Sequence, residues 1–142
     1  MSKVAVVFWS STGNTEAMAV AVAKGAKSSG AEVDMLTAVE FGPEKMDTYD
    51  AIAFGCPSMG AEELEETEFA PMFSACESKL QGKKIALFGS YGWGDGEWMR
   101  TWADNCTAKG AQFVCDYVIC CEAPDGDGVA ACEAMGQALA KQ

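Results

Sequence analysis

Short apolar runs alternate with helix-patterned stretches along the whole chain, and this alternation limits the fold more than any other feature. Residues 4–9, 32–36, 51–56, 84–90 and 112–119 are brief and rich in β-branched or aromatic residues, as buried strands are. Helical spacing predicts helices over 15–28, 68–79, 96–109 and 128–141, with Met18, Ala21, Val22 and Gly25 on one face of the first. Gly30, Gly82 and Gly110 stand where the first three helices need C-terminal caps. Residues 47–50 lead into the third strand without a long helix of their own. The expected class is α/β: a parallel sheet with right-handed crossovers and helices on both faces. Ligands of such sheets bind beyond the carboxyl ends of the strands, where strand order reverses. The loops after strands one, three, four and five are therefore the ones to read for chemistry.

A chain of 142 residues fits one domain, here taken as 1–142, and 49% hydrophobic against 22% charged residues is globular composition. Ten basic and 21 acidic residues give a formal charge of −11 and a pI near 4.3. Nucleic acid and anionic membranes are poor partners for that surface, and basic protein patches are good ones. No apolar run approaches membrane-spanning length. The first strand starts too early to leave room for a signal peptide, and a cytoplasmic location is expected. Seven cysteines, an odd number, occur without a C-x-x-C pair and without any histidine. That combination disfavours the usual zinc sites and Cys–His or Ser–His catalysis, and it predicts that most thiols fill the core.

The first of those loops reads Ser10-Ser11-Thr12-Gly13-Asn14-Thr15. An ordinary helix cap needs one hydroxyl, whereas here four surround a glycine, with an amide side chain beside them. Unpaired N–H groups and the positive end of the helix dipole converge at such a place and bind an anion, most naturally phosphate. No Lys or Arg occurs between Lys3 and Lys24, so neutral donors must hold it. The loop after strand three carries Cys56-Pro57-Ser58-Met59-Gly60-Ala61-Glu62, and the loop after strand four carries Ser90-Tyr91-Gly92-Trp93-Gly94. An indole between two glycines on a loop tip is suited to meeting another flat surface.

Together the three loops resemble those of the flavodoxins, specifically the short-chain kind, and the likeness runs through nearly the whole chain. It is strongest at Trp9-Ser10-Ser11-Thr12-Gly13-Asn14-Thr15-Glu16, at Gly55-Cys56-Pro57-Ser58-Met59-Gly60 and at Leu87-Phe88-Gly89-Ser90-Tyr91-Gly92-Trp93-Gly94. The resemblance implies a flavodoxin-like doubly wound fold with a five-stranded parallel sheet in the order 2-1-3-4-5. It implies noncovalent flavin mononucleotide (FMN), with its phosphate at Ser10, Ser11, Thr12, Gly13, Asn14 and Thr15. The flavin ring would lie between Met59 and Trp93, and Glu62 would accept from the flavin N3–H. The peptide at Gly60 would turn over on one-electron reduction. Ser58, Ala61, Ser90, Tyr91, Gly92 and Gly94 complete the implied cofactor contacts. Ser11 stands where many relatives carry glycine, and Ala61 follows Gly60 where others have glycine, aspartate or serine.

The implied activity is one-electron transfer at low potential through the semiquinone/hydroquinone couple, between redox proteins with basic docking surfaces, by a monomer. The charges agree. Glu62, Glu63, Glu65, Glu66 and Glu68 crowd one loop, and Asp95 and Glu97 the next. One such charge ~10 Å from an anionic reduced flavin costs roughly 1.7 kcal/mol at an effective dielectric near 20. Two other classes compete. A small FMN-dependent reductase of the quinone or nitro-compound type needs a substrate site for which 142 residues leave little room. A flavin-free phosphoryl-accepting domain needs acidic residues after strand one, where Trp9 and Ser10 stand.

Overall fold

Val4, Val6 and Phe8 alternate with Ala5 and Val7 across the first strand, and all five are buried, so that strand is covered on both faces. The computed structural model describes residues 2–11, 13–59 and 63–142. In chain order it contains β1 (Lys3–Phe8), α1 (Asn14–Ser28), β2 (Glu32–Thr37), β3 (Ala51–Gly55), α2 (Phe69–Cys76), β4 (Lys84–Tyr91), α3 (Glu97–Ala108), β5 (Gln112–Phe113), β6 (Val118–Cys121) and α4 (Gly126–Ala140). Every strand pairing is parallel, in the order β2-β1-β3-β4-β5, with β6 also on β4. The expected doubly wound sheet is present. Gly30, Gly82 and Gly110 follow their helices at φ of +92°, +76° and +87°.

Two apolar cores lie on opposite faces of the sheet. On one face Ile52, Phe54, Ile85 and Leu87 meet Phe69 and Phe73 of α2 and Trp98, Met99 and Trp102 of α3. On the other face Val4, Val6, Ala53 and Phe88 meet Met18 and Val22 of α1 and Met135 and Leu139 of α4. Helices α1 and α4 touch at backbone distance. A Cβ at Gly25 would sit 2.0 Å from the Glu133 carbonyl oxygen, and one at Gly136 would sit 2.0 Å from that of Val22. Cys56, Cys76, Cys106, Cys120 and Cys132 are core residues, as expected, while Cys121 is exposed.

The fifth strand departs from expectation. Residues 112–119 do not form one strand; β5 pairs at Ile85↔Phe113 and β6 resumes at Phe88↔Val118. Five steps of the edge chain thus accompany three steps of β4, and the two surplus residues leave the ladder. Between β2 and β3 the chain runs through 3-10 turns at Ala38–Glu40 and Pro43–Thr48, and α2 gives way to a third at Glu77–Lys79. Among the described residues no helix is long and apolar enough to cross a membrane, and no group of three or more His, Cys, Asp or Glu could hold a metal ion.

Candidate functional site at the carboxyl end of the sheet

The ends of β1, β3, β4 and β6 are knitted together by backbone bonds before any ligand is considered. Trp9 N donates to Gly55 O at 3.0 Å, Ser58 N to Ser90 O at 2.9 Å and Glu122 N to Tyr91 O at 2.7 Å. Between them opens a cleft of ≈ 460 Å³, lined by Ser11, Asn14, Ser58, Met59, Ser90 and Tyr91 among others. Its size suits a small organic ligand. Among the described residues the lining contains neither Lys nor Arg, and its one ionisable carboxylate is Glu122.

The amino end of α1 supplies donors without matching acceptors. Gly13 precedes the helix at φ +94°, a left-handed conformation that favours glycine, and a Cβ there would meet nothing within 4 Å. The Ser10 hydroxyl oxygen accepts from Gly13 N at 3.1 Å and Glu16 N at 3.3 Å, so what it can offer outward is its O–H proton. Among the described residues no acceptor meets the amides of Asn14 and Thr15. The Thr15 and Ser90 hydroxyls bond each other at 2.8 Å in a buried pair, which uses one of their two protons and leaves the other to donate. A nest of surplus N–H and O–H donors with no cation fits a phosphate dianion, which only accepts.

The loop after β3 is held at its neck. Met59 and Glu63 exchange two backbone bonds of 2.8 Å. The Cys56 sulfur accepts from Glu65 N at 3.3 Å, and the Cys56 carbonyl accepts from Trp98 Nε1 at 3.2 Å. Burial pushes the Cys56 thiol up to about 12, although the Glu65 amide opposes the shift. Glu65 itself is buried, and its carboxylate accepts from the amides of Thr67, Glu68 and Phe69, each at 2.8 Å, and from the Thr67 hydroxyl. Burial alone would raise its pKa; those hydrogen bonds together outweigh it and hold the group below the ordinary glutamate range. Of the glutamates in this run, Glu65 therefore faces inward as the cap of α2. Glu68 accepts from Trp9 Nε1 at 2.8 Å, which ties the run to the end of β1.

Seven of the sequence-derived candidates, Ser11, Asn14, Ser58, Met59, Ser90, Tyr91 and Gly92, line this one cleft. Ser10, Gly13 and Thr15 stand at its α1 end. Thr12, Gly60, Ala61 and Glu62 lie outside the described residues. Trp93 is 64% exposed and projects from the tip of its loop, with Gly94 beside it at φ +85°. Tyr91 packs on Trp98, ring centroids 5.6 Å apart. Sequence reasoning did not single out Pro57, Glu122 and Ala123, which also line the cleft. Glu122 has φ +60°, unusual for a residue with a long side chain. The place of 122–123 just after the last strand was the available signal.

A family model described as Flavodoxin matches residues 6–136. The chain is 43% identical to a flavodoxin of Megasphaera elsdenii over 138 residues, covering 97% of this chain and 98% of that one. It is 42% identical to a flavodoxin of Clostridium beijerinckii over 120 residues, covering 84% and 87%. The solution structure of two-electron reduced Megasphaera elsdenii flavodoxin superposes with a TM-score of 0.90 at 42% identity, over 98% and 99% of the two chains. The chain belongs to the flavodoxin family. Flavodoxins are FMN-binding electron-transfer proteins and not enzymes, and this chain carries electrons on FMN. The reductase reading is not favoured.

Proposed function

We propose that FMN occupies the cleft at the carboxyl end of the sheet, with its phosphate against Ser10, Ser11, Thr12, Gly13, Asn14 and Thr15. The isoalloxazine ring then runs along Met59, with Ser58, Ser90, Tyr91, Gly92 and Gly94 around it and Trp93 folding over its outer face. Gly60, Ala61 and Glu62 reach its polar edge. Bound FMN supplies the redox chemistry; the protein supplies position, field and exclusion of water. Met59 and the aromatic rings keep water from the ring, and Glu63, Glu66, Glu68 and Glu122 set a negative field that opposes adding charge. The result is a low-potential carrier that passes electrons one at a time to redox proteins with basic docking faces, as a monomer in the cytoplasm.

The observation that carries this reading is the donor-only cradle at α1, opening on the cleft that holds Met59. Thr15→Val removes one hydroxyl of the buried pair. FMN affinity of the apoprotein should fall roughly 10–100-fold, the worth of a hydrogen bond to a charged group. Riboflavin affinity should change little. Equal losses for both ligands in fluorescence-quench titrations would place the phosphate elsewhere.

A further inference from the structure

The hydroxyl-rich loop after β1 is staked at both ends. Among the described residues, two hydrogen bonds between side chains cross from one loop to another at the carboxyl end of the sheet. Trp9 Nε1 donates to Glu68 Oε1, and the Thr15 and Ser90 hydroxyls bond each other, each pair at 2.8 Å. Trp9 and Thr15 flank residues 10–14. Their partners stand on the other two site loops: Glu68 closes the one that carries Met59, and Ser90 leads into the one that carries Trp93. Thr15 and Ser90 already belong to the cleft, whereas neither Trp9 nor Glu68 lines it. Both ends of the Trp9–Glu68 bond are nonetheless fixed in advance. The Trp9 amide is held by Gly55 O and its ring packs against the core, while the Glu68 amide is held by the Glu65 carboxylate. Little freedom is lost in forming the bond, and its charged acceptor strengthens it.

We infer that Trp9 and Glu68 are positioning residues, a strut that holds the phosphate end of the cleft at a fixed span from its ring end. FMN carries a phosphate and a ring on one ribityl chain, so it binds as two linked ligands. The gain from such linkage is an effective concentration, which is greatest when the two subsites are held at the span of the linker. A strut outside the cleft that fixes this span adds to FMN affinity without touching FMN. It adds nothing for a ligand that uses one subsite alone. The inference rests on the placing of FMN proposed above and adds what keeps its two halves in register.

The test compares three ligands of the apoprotein: FMN and riboflavin by quenching of flavin emission, and inorganic phosphate by the amide NMR signals of Asn14 and Thr15. Trp9→Phe keeps an aromatic ring against the core and deletes the donor, and Glu68→Ala deletes the acceptor at an exposed position. Each should weaken FMN ~5-fold, the worth of one hydrogen bond, and change riboflavin and phosphate less than ~2-fold. The double variant should bind FMN no more weakly than either single one, because both changes remove the same bond. Glu68→Gln should retain most of the FMN affinity, since its amide oxygen still accepts. Both Glu68 variants lose the same charge, so the difference between them isolates the bond. Equal weakening of FMN and of either fragment, unchanged FMN affinity in either single variant, multiplied losses in the double variant, or a Glu68→Gln as weak as Glu68→Ala overturns the inference. An unmodified apoprotein that binds riboflavin as tightly as FMN overturns the placing of FMN instead.

Discussion

Glu65→Ala should destabilise this protein by more than any other single change in its glutamate run. The carboxylate collects three amide N–H groups and a hydroxyl at the start of α2, and its residue is only 4% exposed. Truncation leaves the amides of Thr67, Glu68 and Phe69 with no acceptor where water reaches poorly. At about 1 kcal/mol for each orphaned donor, the loss is about 3 kcal/mol. For 142 residues the unfolding entropy near the midpoint is roughly 0.3 kcal/mol per kelvin, so Tm should drop by ~10 °C. Glu65→Gln keeps an acceptor oxygen but loses the charge, and about half that drop is expected.

The pH dependence gives the sign independently. The folded pKa of Glu65 lies below its unfolded value, so its contribution is complete above the unfolded pKa. It is lost as pH falls from about 4.5 through the lower folded value. Urea unfolding of the apoprotein should therefore show the unmodified chain ahead of Glu65→Gln at pH 7, with the gap closing in acid. A deficit under 1 kcal/mol for Glu65→Ala, or a gap that does not change with pH, would refute the capping argument.

Two further outcomes follow from exposure. Trp93→Ala should weaken FMN binding and raise the emission of the bound flavin, because the projecting indole is the group available to cover and quench the ring; unchanged emission and affinity mean that it does not. In the native protein a disulfide reagent at pH 8 should modify Cys121 fast and the buried thiols slowly. Burial pushes Cys56, Cys106 and Cys132 up to about 12, so mass spectrometry after brief labelling should find a single adduct, at Cys121.

Strands one, three and four were legible because a central parallel strand is buried on both faces and reads as an unbroken apolar run. The fifth was misread for a related reason. Val114, Cys115 and Tyr117 pack against one core or the other even where the backbone has left the ladder, so the apolar pattern continues through the interruption. Hydrophobicity records burial, and here burial and pairing separate. At the site, the hydroxyl-rich loop and the Met59 loop could be read because their residue types are unusual for plain caps or turns. Glu65 could not be told from its neighbours, since five glutamates within seven positions carry no mark of which one turns inward. Nor does a glutamate signal the left-handed backbone found at Glu122.

The absence of Lys and Arg between Lys3 and Lys24, where the phosphate is proposed to bind, has a consequence for the redox chemistry. A lysine in the phosphate loop would bind the dianion more strongly, but its charge would also act on the ring. At ~10 Å and an effective dielectric near 20 it would favour an added electron by roughly 1.7 kcal/mol, or ~70 mV upward for a one-electron couple. Amides and hydroxyls at the proposed phosphate site would hold it with dipoles, whose influence fades much faster with distance than that of a full charge. The carboxylates around the β3 loop would then act on the ring without a compensating charge from the loop proposed to anchor it. Under the proposed function, binding strength and low potential, which a basic loop would set against each other, would be reconciled by a neutral cradle at the end of α1.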